Sequence, residues 1–261
     1  MMTQHRRKKL LDLVAEHGDV SVGQLAEWLP SSSATVRRDL SWLADRNMLA
    51  RVHGRALRLT PAALENAPAP GHSPHAGQKR AIARHASTLC ADGETIIING
   101  GSTTMMMAEF LVDRKLTALT NSFQLARRLL ETTDISVMLT AGTVYRRQDL
   151  ILSPFDSDLS PHHYAARTFM GVAGIAEHGL MEVDPLLVQS QNRLMGLSDE
   201  LIVLADSSKF ARKASLILCA LNRIDSVITD TGAPDAAVQM LERAGVIVIT
   251  VEPELDFSSL H

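Results

Sequence analysis

The sequence predicts an α/β protein in two parts: a small N-terminal unit of short helices closed by a β-hairpin, and a larger C-terminal unit in which strands and helices alternate. Three observations carry this. Over the first 60 residues, apolar side chains recur at helical spacing in three short runs and then switch to strict alternation. From Pro61 to Pro74 the composition turns to Ala, Pro, Gly and His, with prolines at 61, 68, 70 and 74, as in an extended linker. From Lys79 onward, short β-branched runs alternate with amphipathic stretches, the pattern of a sheet with helices on its faces. The expected division is 1–60, a linker over 61–76, and 77–261.

At 261 residues, 46% of them hydrophobic, the chain can bury a core in each part. The basic start, Arg6-Arg7-Lys8-Lys9, is followed by no apolar signal core, and no run reaches the ~20 apolar residues of a membrane span, so a cytoplasmic, membrane-free protein is expected. Cys90 and Cys219 stand far apart without metal-ligand spacing, which reads as two buried thiols. Charge is unevenly divided. Residues 1–60 hold 10 Lys/Arg against 6 Asp/Glu, leaving 16 against 23 for the rest, so a basic small unit is joined to an acidic large one. A polyanion is the natural partner of the first.

Leu10, Leu11, Leu13 and Val14 mark a first helix that stops at Gly18, with Arg6 to Lys9 at its start available to phosphates. Ser21-Val22-Gly23-Gln24 matches a capping box, and Val22, Leu25 and Leu29 form the buried side of a second helix ended by Pro30. In the third, Ser31 to Ser33 offer caps while Val36, Leu40 and Leu43 repeat as a buried stripe. Ser33, Thr35, Arg37, Arg38 and Ser41 fall largely off that stripe. Arginine pairs bidentately with guanine and phosphate, and hydroxyls reach backbone oxygens, so this face suits DNA. The same pattern also suits a solvated face whose arginines balance Asp39 and Asp45. Two short helices at this separation make a helix-turn-helix, which favours the DNA face. Met48 to Val52 and Ala56 to Leu59 then alternate around His53-Gly54-Arg55 as a hairpin, or wing, whose Arg51, His53 and Arg55 are placed to touch the flanking backbone.

In the larger part, strands are expected at Thr95–Ile98, Leu116–Leu119, Ser136–Leu139, Arg167–Val172, Leu201–Leu204, Leu216–Leu218, Val227–Ile228 and Val246–Val251. Helices are expected around Ile82–Leu89, Met105–Val112, Phe123–Leu130, Leu186–Leu197 and Asp235–Ala244. Ligands of such sheets sit beyond the carboxyl ends of the strands. Three ends are polar. Asn99-Gly100-Gly101-Ser102-Thr103-Thr104 joins a strand to a helix with glycines and hydroxyls that suit a phosphate, though without the Gly-Lys-Ser/Thr ending of a nucleotide loop. Thr120-Asn121-Ser122 and Ala205-Asp206-Ser207-Ser208-Lys209-Phe210 end two others. Each has a plainer reading: a ligand-free tight turn, helix capping by Asn121, and a mutual Asp206–Lys209 ion pair, respectively. Glu182 and Asp184 serve either to orient sugar hydroxyls or to cap the next helix. Histidine pairs 72/75 and 162/163 lack companion ligands, and Arg146-Arg147 lacks a partner motif, so these are read as solvated, with no metal and no cofactor expected.

Thr35-Val36-Arg37-Arg38-Asp39-Leu40 followed by Leu49-Ala50-Arg51-Val52-His53-Gly54 resembles the winged helix-turn-helix of the DeoR family of bacterial sugar-metabolism regulators. One departure is Gly54-Arg55, where that family usually has paired glycines. The resemblance continues through Gly101-Ser102-Thr103-Thr104, Thr120-Asn121-Ser122, Ala141-Gly142, Gly171-Val172-Ala173-Gly174-Ile175 and Ala205 to Phe210, in that order. Ile98 to Thr103 and Leu152-Ser153-Pro154 resemble the branch that contains ascorbate-utilisation repressors. The resemblance implies a C-terminal domain similar to ribose-phosphate isomerase that binds a phosphorylated sugar or sugar acid. It also implies operator DNA as partner, a homo-oligomer, and an effector site drawn from Asn99 to Thr104, Asn121, Ser122, Gly142, Glu182, Asp184, Asp206 and Lys209. A sugar-phosphate isomerase or hydrolase with an accessory winged helix is the competing reading. Met170 to Ile175 lacks the carboxylate, and the chain lacks the poly-glycine segment, that such isomerases carry, so binding without turnover is expected.

Overall fold

The structure, a computed structural model, describes residues 3–44, 49–52, 55–57, 75–145, 149–152, 164–212 and 214–254. The chain divides into two compact units, Met1–Ala69 and Pro70–His261. None of the helices described is long and apolar enough to cross a membrane.

The first unit contains helices α1 (Thr3–His17), α2 (Val22–Trp28) and α3 (Ser33–Ala44) and strands β1 (Asp19–Ser21), β2 (Ala50–Val52) and β3 (Arg55–Leu57). The stripes expected from spacing do converge: Leu10 and Val14, Val22 and Leu25, then Val36, Leu40 and Leu43 are buried in one cluster with Leu49 and Ala56. Ser21 caps α2, accepting from the Gln24 N–H while the Gln24 side chain accepts from the Ser21 N–H at 3.0 Å, so the capping box forms as spaced. Ser32 caps α3, accepting from the Thr35 N–H at 3.3 Å. Strand β1 was not expected. It pairs antiparallel with β3, which also pairs with β2, so the hairpin is extended to three strands in the order β1-β3-β2.

The second unit is built on a seven-stranded parallel sheet. Its strands are β4 (Thr95–Ile98), β5 (Thr117–Thr120), β6 (Ser136–Leu139), β9 (Ala165–Gly171), β12 (Ser198–Leu204), β14 (Ser226–Asp230) and β15 (Ile247–Val251), in the order β15-β14-β12-β9-β4-β5-β6. The chain enters at β4, builds outward through β5 and β6, then returns to the other side of β4 and builds outward again. Strand order therefore reverses between β4 and β9, the position where sheets of this kind leave a crevice beyond their carboxyl ends. Alternation along each strand sorts the core onto two faces. Ile96, Ile98, Phe169, Ile202 and Ile228 pack with Ile82 and Ala86 of α4 (Ala76–Thr88) and Leu125 and Leu129 of α5 (Phe123–Thr132). On the other face Ile97 and Leu119 meet Leu194 of α6 (Pro185–Met195), while Val203 and Val227 meet Leu241 of α7 (Asp235–Arg243).

Two departures bear on the site. The segment expected to be helical from Met105 is a 3-10 helix, Thr104–Phe110, in which Met106, Met107 and Ala108 are all buried in succession. Three consecutive residues are buried because the segment packs against both α4 and α5 in one core cluster. A hairpin of β7 (Thr143–Tyr145) and β8 (Leu150–Leu152), unforeseen because its strands are only three residues each, pairs antiparallel and reaches back over the carboxyl edge. A second sheet, β10 (Gly174–Ala176), β11 (Gly179–Glu182) and β13 (Leu216–Cys219), carries Glu182 toward α6.

Candidate functional site

On α3 the two faces are physically distinct. Val36, Leu40 and Leu43 are fully buried, whereas Ser33, Arg37 and Arg38 are exposed and Thr35 and Ser41 half-buried. Asp39, between these faces and 3% exposed, is held by two arginines of α1: Arg6 Nε donates to it at 2.5 Å and Arg7 Nε at 2.8 Å. Arg7 also stacks on Trp42, 3.9 Å from the ring centroid. This corrects one expectation: Arg6 and Arg7 are turned inward, and of that basic run only Lys8 and Lys9 are exposed. It also removes Asp39 as the balance for Arg37 and Arg38, because that carboxylate already has two partners. Among the described residues no ion pair engages either of them. The backbones of Arg51 and Arg55 lie in β2 and β3; their side chains, with His53, Gly54 and Asp45, lie outside the described residues.

At the β4/β9 reversal the polar strand ends are tied together. Asn99, 1% exposed, accepts from the Gly171 N–H at 2.9 Å, which clamps the crevice across its two strands. Asn121 is not a helix cap. Its Oδ1 accepts from the Gly100 N–H at 2.8 Å and its Nδ2 donates to Ser190 Oγ on α6 at 3.3 Å, while Ser122 caps α5 through the Leu125 N–H at 3.2 Å. Thr104 Oγ1 donates to the Gly101 carbonyl at 3.0 Å, and Thr103 and Thr104 are buried while Ser102 is exposed. Among the described residues, no partner takes the N–H groups of Gly101 and Ser102, which leaves two backbone donors at this turn.

The hairpin forms the outer wall. Ile151 N–H donates to the Asn121 carbonyl at 2.7 Å, Phe123 N–H to the Asp149 carbonyl at 3.3 Å, and the Leu150 side chain lies where a Cβ on Gly100 would be. A larger residue at 100 would have to displace the Leu150 side chain and press on Ser122. Gly142 lies past the end of β6, exposed, at the start of β7.

On the other side of the reversal, Asp206 and Asp230 are each 1% exposed. Asp230 accepts from the Ser207 N–H at 2.7 Å and the Gly232 N–H at 3.1 Å. Asp206 Oδ1 takes the Ser208 N–H at 3.1 Å and the Ser208 hydroxyl, and these bonds hold the turn. Asp184 caps α6, accepting from the Leu186 N–H at 2.9 Å. Glu182 is 5% exposed and burial raises its pKa above the ordinary carboxylate range, opposed by the Val183 N–H, Gln191 and the charge of Lys209. Burial raises Asp149 in the same way.

Among the described residues, Gln191 Oε1 and Asp206 Oδ2 on either side of the crevice are buried side-chain oxygens without a hydrogen-bond partner, as are Thr140 Oγ1, Asp149 Oδ2 and Thr229 Oγ1 elsewhere. Native proteins leave few such atoms, so each asks for a polar ligand group or an ordered water. Of these residues the sequence marked only Asp206; Gln191 lies within α6, outside any strand-end motif. Cys90, buried, has its thiol pushed up to about 12, and neither cysteine is in a disulfide. The described residues contain no cluster of metal-ligating side chains.

Two family models match the chain: the DeoR-like helix-turn-helix domain over residues 6–62 and the DeoR C terminal sensor domain over residues 74–231. Among curated proteins, the chain is 31% identical over 253 residues to the HTH-type transcriptional regulator UlaR of Shigella sonnei, covering 96% of this chain and all of that one. It is 30% identical, over the same shares, to UlaR of Escherichia coli O1:K1. Among solved structures, ribose 5-phosphate isomerase A from Neisseria gonorrhoeae is 20% identical with a TM-score of 0.39, over 53% of this chain and 54% of that one. The eIF2B delta structure from Chaetomium thermophilum is 15% identical with a TM-score of 0.39, over 80% and 65%.

Proposed function

The chain belongs to the DeoR family, and from that premise we propose that it is a transcriptional repressor of a carbohydrate-utilisation operon, released or engaged by a phosphorylated sugar or sugar acid. The observation that carries the reading is the α3 surface. Arg37 and Arg38 stand exposed on a helix whose opposite face is sealed in the core, while Asp39 is satisfied from α1. Such a helix can lie in a major groove with its guanidinium groups toward base edges and phosphates. Thr35, with Ser33 and Ser41 beside it, is the nearby source of hydroxyl contacts, and Arg51, His53 and Arg55 of the wing complete the DNA-facing set.

In the C-terminal unit the effector's anionic group sits on the Gly100 to Thr104 turn and its hydroxyl groups face Asp206 and Lys209, while Asn121, whose amide already holds the Gly100 N–H and Ser190, acts as a support. Asn99, Ser122 and Asp184 act as supports, because their polar atoms already hold the backbone of the turn or a helix start. The effector must favour one of two arrangements of the protein to alter operator affinity. No turnover accompanies binding: the relatives are named as regulators, and Asp230 is engaged in holding turns. A homo-oligomer acting in the cytoplasm completes the proposal.

The test is titration of the full chain against duplexes that it selects from a random library. Arg37→Ala is expected to weaken binding by about 1–3 kcal/mol, the worth of one specific base contact, with thermal unfolding unchanged. Equal affinity of Arg37→Ala and the parent chain would remove the docking pose. A thermal-shift screen with sugar phosphates, each hit then added to the DNA titration, tests the effector. Product formation in that screen would favour the enzyme reading instead.

A further inference from the structure

We propose that Gln191 reads a hydroxyl group of the effector, accepting from it through Oε1, so that the site selects a polyhydroxylated anion over a bare one. The inference rests on the effector reading above and adds a residue that no strand-end motif contains. Gln191 is 5% exposed, and among the described residues its one side-chain hydrogen bond runs from Nε2 to Glu182 Oε2 at 3.5 Å, which leaves Oε1 buried and without a partner there.

Its position joins the two halves of the edge. The preceding residue, Ser190, accepts from Asn121 Nδ2 at 3.3 Å, and Asn121 in turn holds the Gly100 N–H at 2.8 Å. On its other side Glu182 lies within the electrostatic reach of Lys209, whose N–H donates to the Asp206 carbonyl at 2.9 Å. One turn of α6 thus stands between the glycine turn and the Asp206 turn, where the effector's uncharged portion would lie.

The chemistry of the orphaned atoms selects the ligand class. Gln191 Oε1 and Asp206 Oδ2 are both acceptors, so only a donor satisfies them. A phosphate monoester dianion or a carboxylate has no proton to give at neutral pH, whereas a sugar hydroxyl does. The N–H groups of Gly101 and Ser102 ask for the opposite, an anion. One molecule meets both demands when an anionic group and donating hydroxyls share a short carbon chain. An ordered water could satisfy the same oxygens, and the experiment separates the two.

The full chain is titrated calorimetrically with inorganic phosphate, glycerol 3-phosphate and a set of pentose and hexose phosphates. At least one sugar phosphate should bind about tenfold or more tightly than inorganic phosphate, the effect of a buried acceptor gaining its donor. In Gln191→Met that gap should close to about threefold or less, with inorganic phosphate held as before, which also reports that the variant is folded and its glycine turn intact. A gap that survives in Gln191→Met overturns the proposal and leaves the effector reading standing. No binding of any phosphate by the parent chain overturns the effector reading itself. If Gln191→Met does not fold, monodeoxy forms of the best sugar phosphate are titrated into the parent chain. One of them should lose about tenfold, and equal binding of all, as a water-filled site would give, overturns the proposal.

Discussion

The two units present their candidate sites in opposite ways. The N-terminal face is a short arc of one helix, with Arg37 and Arg38 adjacent in sequence and the residues on either side, Val36 and Asp39, turned inward. The C-terminal rim is assembled from strand ends across residues 99–230, and the bonds that unite it, Gly171 to Asn99, Gly100 to Asn121 and Asn121 to Ser190, join segments remote in sequence. In the first, the helix supplies the geometry and the core supplies the orientation. In the second, orientation depends on side chains that use their polar atoms on one another, so supporting and ligand-contacting residues interleave.

The sharpest way to break that contrast is at Asp39. It sits next to Arg38 yet acts on the fold, being 3% exposed with two guanidinium partners that are themselves mostly covered. Asp39→Ala strands both arginines and is expected to cost about 3–5 kcal/mol, the range for breaking a buried ion pair by removing one partner. Both tryptophans of the chain, Trp28 and Trp42, are in the N-terminal unit, so tryptophan fluorescence during urea unfolding follows that unit. The midpoint should fall steeply in Asp39→Ala and stay in place in Arg37→Ala. A midpoint unmoved in both would mean that the α1–α3 clamp contributes nothing.

That contrast also explains what could be read from the chain alone. The stripe Val36, Leu40 and Leu43 and the arginines off it were legible because helical periodicity is a local property, and so were the seven strands of the main sheet, each a short apolar run. The inward turn of Arg6 and Arg7 was not, since it depends on a carboxylate more than thirty residues away. At the rim the glycine turn and the Asp206 turn were visible as motifs. What Asn121 does was not, because capping by Asn is a local habit and a bond to Gly100 is a tertiary one. The β7–β8 hairpin escaped for a related reason: strands of three residues carry too little pattern to stand out, and Leu150 acquires its meaning only by lying on Gly100.

Gly100 offers the next test. A Cβ there would run into Leu150 Cδ2 and stand 3.0 Å from Ser122 Cβ. Gly100→Ala should therefore cost about 1–3 kcal/mol by overpacking, seen as a lower thermal midpoint by circular dichroism while the tryptophan signal of the other unit holds. Adding Leu150→Ala removes the colliding methyl and should restore part of the loss. A double variant no more stable than Gly100→Ala would show that the hairpin does not rest on this turn, and the rim would lose its outer wall.

The smallest effect expected lies at Glu182, and it is separable by its dependence on pH. Burial penalises the charged carboxylate, so the folded chain holds this proton to a higher pH than the unfolded chain, whose value is near 4.5. Stability from Glu182 is then complete below the unfolded value and is lost as pH rises through the folded one. Glu182→Gln keeps the shape and cannot titrate, so its stability relative to the parent should improve from about pH 4.5 upward and level off, by an amount of the order of 1 kcal/mol. Asp149 shifts in the same direction but is common to both chains, so the difference curve isolates Glu182. A flat difference from pH 4 to 8 would mean that the donors around Glu182, the Val183 N–H, Gln191 and Lys209, offset its burial fully, and that this carboxylate is charged inside the fold. Any shift of the tryptophan-reported transition with pH in that comparison would instead tie the two units together, since Glu182 belongs to the unit that contains no tryptophan.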